Sequence, residues 1–122
     1  MRPFVAELER IRVLCQSRGV GLVVLLVNHQ SGDGSFNSEE RAYNAIVTTF
    51  CAQAGITVFD PVATFTSASR SAVFRIGGDA HWSRRAHQVA GRALGVFFLQ
   101  QDWIRAALGV GELSPSASAD RR

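Results

Sequence analysis

Apolar positions along the chain recur at helical spacing, then run continuously, and the pair of patterns repeats. Phe4, Leu8, Ile11, Leu14 and Cys15 fall three and four apart, with Glu7, Glu9, Arg10 and Arg12 filling much of the remainder. That period predicts an amphipathic helix that opens at Pro3, a residue suited to a first turn, and stops at Gly19. Val20 to Val27 then reads Val-Gly-Leu-Val-Val-Leu-Leu-Val. A β-branched, unbroken apolar run predicts a central parallel strand covered on both faces. A polar loop rich in Gly and Ser occupies 28–37, and Asn37 with Glu40 three residues on forms a capping box. Tyr43, Ile46, Val47, Phe50, Cys51 and Ala54 mark one face of a second helix ended by Gly55. Ile56 to Phe59 is a second buried strand, stopped by Asp60-Pro61.

Residues 62–76 admit two readings. Ala63, Phe65, Ala68 and Ala72 permit a short helix, while Val73 to Ile76 fits a brief extended run. Ser83 caps a third long helix whose apolar face is Ala86, Val89, Ala90, Ala93, Leu94 and Phe97, and a shorter helical segment spans Asp102 to Leu108. From Gly109 the composition turns to Gly, Ser, Pro and Ala and predicts a mobile tail over 109–122. The twice-repeated order of helix, Gly and apolar strand predicts a doubly wound α/β arrangement with parallel strands over 1–108. Two strands fall short of the ~4–6 of a typical sheet. The expectation is therefore a partial domain, whose missing edge comes from weak strands here, a partner chain, or a second copy.

Composition narrows the class. A hydrophobic fraction of 47% against 19% charged residues fits a folded globular chain. All 13 basic residues are Arg, and the formal net charge is +3. They are dispersed along the chain without a basic run or interleaved aromatics, which argues against nucleic-acid binding. Cys15 and Cys51 lie within apolar helical patterns and read as buried thiols; no Cys-x-x-Cys spacing points to a metal or redox pair. The longest apolar run, Leu22 to Val27, is far short of the ~20 residues that span a membrane. Met1-Arg2-Pro3-Phe4 leads straight into a charged helix without the apolar core of a signal peptide, so the default location is cytoplasmic.

The chemistry concentrates in Gly77-Gly78-Asp79-Ala80-His81-Trp82-Ser83. Asp79 stands two residues before His81 on a glycine-loosened loop that feeds a capped helix. There the carboxylate can reach imidazole Nδ1 while Nε2 faces a substrate, the base half of a hydrolytic triad. Each residue also has an ordinary structural reading: Asp79 and Asp60 as turn residues, His81 as a surface histidine, Trp82 as a core plug, His87 as a solvated side chain. Asn28 and His29 follow the end of a buried strand, where open α/β folds place ligand-binding groups, or they serve as plain loop residues. No spacing demands a metal from Asp79, His81 and His29.

The segment Gly78-Asp79-Ala80-His81-Trp82-Ser83, continued by Arg84-Arg85-Ala86-His87-Gln88-Val89-Ala90, resembles the last conserved block of the SGNH/GDSL hydrolase superfamily. The order before it is also similar: helix, apolar strand, helix, then Gly55-Ile56-Thr57-Val58-Phe59-Asp60 and a loop. The resemblance covers roughly 7–98. It implies a flavodoxin-like three-layer SGNH fold, here its C-terminal part, and an esterase or O-acyltransferase in which His81 is the general base and Asp79 orients it. By the same resemblance the substrate is a small-molecule or carbohydrate ester, with no metal or organic cofactor; Trp82, as a platform beside His81, and Asn28, at the strand end, are the substrate-binding candidates by position. The family's Gly-Asp-Ser nucleophile and its oxyanion Gly and Asn have no counterpart in this sequence. Ser31-Gly32-Asp33-Gly34-Ser35 has an intervening Gly34 and follows the wrong strand, and Ala86 stands where the family usually carries Gly. The rival expectation is a non-catalytic α/β module that binds or oligomerises through an uncovered sheet edge.

Overall fold

The computed structural model describes residues 3–31, 33–68, 74–76, 79 and 81–111. Within them the order is α1 (Pro3–Ser17), β1 (Val23–Leu25), α2 (Ser38–Ala54), β2 (Thr57–Phe59), α3 (Val62–Ala68), α4 (Arg84–Gln100) and α5 (Asp102–Leu108). The chain is a small α/β protein. β1 and β2 pair in parallel, with Val23 opposite Thr57, Val24 opposite Val58 and Leu25 opposite Phe59. A bond from Leu26 N–H to the Phe59 carbonyl, 3.0 Å, carries the pairing one step further.

Helix ends follow the sequence closely. Asn37 accepts from the backbone N–H groups of Glu39 and Glu40, and Ser83 Oγ accepts from Ala86 N–H, satisfying donors that a helix start leaves open. Gly19, Gly55 and Gly109 each take a left-handed φ, of 64°, 67° and 68°. The next residue's N–H then reaches back to a helix carbonyl: Val20 to Cys15, Ile56 to Cys51, Val110 to Arg105. One motif therefore stops three helices, and two of the three release the chain toward a strand. Ahead of α3, Asp60 Oδ1 accepts from Val62 N–H at 3.0 Å, with Pro61 in the first-turn position where a missing N–H costs nothing. This resolves the start of 62–76 as helix.

Two apolar clusters form the core. Leu8, Leu26, Val47, Cys51 and Ile56 bring α1 and α2 onto the sheet. Phe65, Phe74, Ala86 and Ala90, with Phe36, Trp82 and Val89 against them, join α3 to α4. Small Ala86 and Ala90, four apart on α4, let the aromatic group approach the helix closely.

Two expectations need correction. The run Val20 to Val27 is not a strand buried on both faces. Its ladder spans three residues, and Val20, Leu25 and Val27 are 57%, 43% and 47% exposed. From Leu25 onward burial alternates, with Leu26, Asn28 and Gln30 inside, and no described residue pairs with the far edge of β1. Likewise, α1 buries only Leu8 of its apolar stripe, leaving Phe4, Ile11 and Leu14 half-exposed. The tail beyond Gly111, and Gly77 and Gly78 of the glycine-rich loop, lie outside the described residues. No helix among those described is long and apolar enough to cross a membrane.

Candidate functional site

Asp79 and His81 stand at the end of two short antiparallel arms. Phe74 and Ile76 form one arm and His81 to Ser83 the other. Ile76 N–H donates to the His81 carbonyl (3.0 Å), Ser83 N–H donates to the Phe74 carbonyl (2.9 Å), and Arg75 bridges Trp82. The return arm runs directly into the capped start of α4, so its far end is fixed. Gln30 fixes the near end: its buried side chain accepts from Phe74 N–H at 2.7 Å and donates to the Gly34 carbonyl at 2.9 Å.

At the tip, His81 Nδ1 lies 2.5 Å from Asp79 Oδ1, and the same oxygen accepts from His81 backbone N–H at 3.0 Å. An ionised carboxylate only accepts, so opposite one Nδ1 is the donor, and whenever the ring is neutral the lone pair is then on Nε2. The imidazole side chain is 77% exposed and the carboxylate 50%. An ionised Asp79 therefore favours the tautomer with its lone pair on Nε2, on a ring that is largely open to solvent. The short Asp-x-His spacing works because one carboxylate oxygen closes both a backbone and a side-chain bond over two residues.

Trp82 ties this loop to the sheet. Its indole N–H donates to the Asn28 carbonyl at 2.8 Å, and its ring meets Phe65 edge-on at a centroid distance of 5.3 Å. Asn28 follows β1 and is 1% exposed. Its Nδ2 donates to Asp60 Oδ1 (3.1 Å), after β2, and its Oδ1 accepts from Asn44 Nδ2 (2.9 Å), on α2. The imidazole is thus held near the carboxyl ends of both parallel strands, the end at which open α/β sheets bind ligands. Of the four residues singled out from sequence, Asp79 and His81 form the exposed pair, while Trp82 and Asn28 are the anchor beneath it. Their polar atoms are spent on bonds within the chain.

Sequence reasoning missed a second pair. Glu40, assigned to the capping box, does not return to Asn37; Asn37 N–H instead donates to the His29 carbonyl at 3.1 Å. Glu40 grips His29 at two points, accepting from its backbone N–H (2.8 Å) and contacting ring Nδ1 (2.6 Å). Partial burial pushes the Glu40 carboxyl up, but the two His29 bonds and the His29 charge outweigh it, holding the group below its ordinary 4.5. The available signal was Asn28-His29 at the end of an apolar run, eleven residues before a carboxylate in a helix first turn.

Elsewhere, a cavity of about 370 Å³ lined by Cys15, Leu22, Ile56 and Trp103 opens at the amino ends of the strands, opposite His81. Among the described residues no group of three or more His, Cys, Asp or Glu side chains is placed to hold a metal ion. Comparison of the chain with protein-family models, with curated proteins and with solved structures finds no match in any of the three.

Proposed function

We propose that this chain supplies the base half of an SGNH-type serine esterase or O-acyltransferase site, on the C-terminal part of a flavodoxin-like fold. The observation that carries the reading is the 2.5 Å contact between Asp79 Oδ1 and the Nδ1 of His81, an imidazole whose side chain is 77% exposed. In the proposed reaction, His81 Nε2 takes the proton of a hydroxyl nucleophile as its oxygen attacks an ester carbonyl carbon. The imidazolium then returns that proton to the leaving alkoxide, while Asp79 stays ionised and compensates the transient charge. The nucleophile and oxyanion donors come from another segment docked on the far edge of β1, next to the exposed Leu25 and Val27. The substrate class that accompanies this reading is an acylated small molecule or carbohydrate.

The same edge favours a second reading, a non-catalytic module that pairs through β1, because the exposed Leu25 and Val27 lie on and just after a strand paired on one side only among the described residues. Fluorophosphonate labelling of the chain, read by intact mass and peptide mapping, tests the division of labour. The half-site reading expects no serine adduct on the chain alone. A single serine adduct that disappears in His81→Ala would place the nucleophile within this chain and overturn it.

A further inference from the structure

Among the described residues, the hydrogen bond that holds the candidate base's ring comes from Asp79. A ring 77% exposed at a loop tip keeps rotational freedom unless a second group meets its face or edge. His29 is that group. The two imidazoles stand nearly perpendicular, 82° apart, with centroids separated by 6.2 Å, within the range of edge-to-face ring contacts. His29 is itself immobilised, at one-third exposure, by the two-point grip of Glu40 from the first turn of α2. The adjacent residues reinforce the contact, because Trp82 donates to the Asn28 carbonyl. Consecutive residues of the strand-end loop, 28 and 29, thus engage consecutive residues of the catalytic loop, 82 and 81.

We infer that His29, held by Glu40, is a positioning residue for His81. It packs against the imidazole that Asp79 orients and confines it to the rotamer in which Nε2 faces a substrate. The chain of support runs from the start of α2 through Glu40 and His29 to His81, independently of the Asp79 contact. It explains why Glu40 leaves the cap of its own helix. Both Nδ1 atoms are engaged by carboxylates, and among the described residues neither Nε2 has a hydrogen-bond partner. His29 therefore acts through its ring rather than by taking a proton from His81. Asp79, Glu40 and the two imidazoles are the ionisable side chains that these contacts join.

This inference rests on the reading of His81 as a base, and two measurements separate the fates of the two ideas. The first is ¹⁵N NMR of the His81 ring in the intact chain. The wild type gives the shifts of one tautomer with Nδ1 protonated, and His29→Ala gives averaged shifts, whereas His29→Phe, which keeps a ring edge, restores them. The second is acylation of His81 by p-nitrophenyl acetate. His29→Ala lowers that rate about 2- to 12-fold, the range an edge-to-face ring contact is worth, and His29→Phe recovers most of it. Glu40→Gln falls between. Identical His81 shifts and rates in wild type and His29→Ala would overturn the inference. If the shifts respond to His29 but His81→Ala leaves ester cleavage unchanged, the positioning stands and the base assignment fails.

Discussion

Asn28 is the residue for which the structure makes the sharpest quantitative demand. It is 1% exposed and joins three elements: its amide donates to Asp60 after β2 and accepts from Asn44 on α2, and its carbonyl receives the Trp82 indole. Asn28→Ala deletes one hydrogen bond to a carboxylate, worth about 1.5–3 kcal/mol, and one neutral bond, worth about 0.5–1.5 kcal/mol. Asp60 is exposed and can rehydrate, and Asn44 partly so, which keeps the cost within the sum of about 2–4.5 kcal/mol. Urea unfolding followed by far-UV circular dichroism measures it as a drop in midpoint with an unchanged slope. Asn28→Asp gives a complementary signature. It sets a second carboxylate against Asp60, so it destabilises strongly at neutral pH and recovers as the pH falls and one of the two protonates. A midpoint for Asn28→Ala indistinguishable from wild type would refute the anchoring role. So would an Asn28→Asp variant with no recovery in acid.

Further outcomes follow from other sites. Phe65, 1% exposed and meeting Phe36, Phe74 and Trp82, loses about 3–5 kcal/mol on replacement by Ala, read in the same unfolding assay. Glu40 has a folded-state carboxyl below its ordinary 4.5, so it adds stability that is present above that value and lost as the pH falls through the folded one. Glu40→Gln consequently flattens the acid limb of a stability-versus-pH curve; an unchanged limb would contradict the two-point grip on His29. A Cβ at Gly21 would lie 2.1 Å from the Trp103 ring. Gly21→Ala therefore displaces the indole from Thr57, with a red shift and greater quenching of tryptophan fluorescence relative to the same substitution made in a Trp103→Phe background.

Local chemistry was legible wherever a residue type allows one backbone solution. Gly19, Gly55 and Gly109 stop helices by adopting φ > 0, and Asn37 and Ser83 start them. The Asp79–His81 pair was legible for the same reason, since two residues on a loop bring the groups within reach of each other. What spacing could not reveal was partnership over distance. Glu40 satisfied the capping-box pattern in sequence, but His29 competes for its carboxylate and offers two donors to the cap's one. Trp82 and Asn28 read as substrate contacts from their place beside a histidine and a strand end, yet their bond to each other is what fastens the loop. The run Val20 to Val27 has the composition of a fully buried strand, yet burial depends on neighbours, and the described residues pair only one of its edges.

The most direct test of the account is the rate at which the folded chain releases p-nitrophenolate from p-nitrophenyl acetate near neutral pH. Wild type, His81→Ala, Asp79→Asn and His87→Ala are compared at equal concentration, with circular dichroism confirming equal folding. If Asp79 holds a reactive imidazole at His81, then His81→Ala removes most of the chain-dependent rate, Asp79→Asn removes a large part of it, and His87→Ala, whose ring faces the Ser83 carbonyl and Trp82, changes little. Equal rates in wild type and His81→Ala would contradict the assignment of His81 as the base.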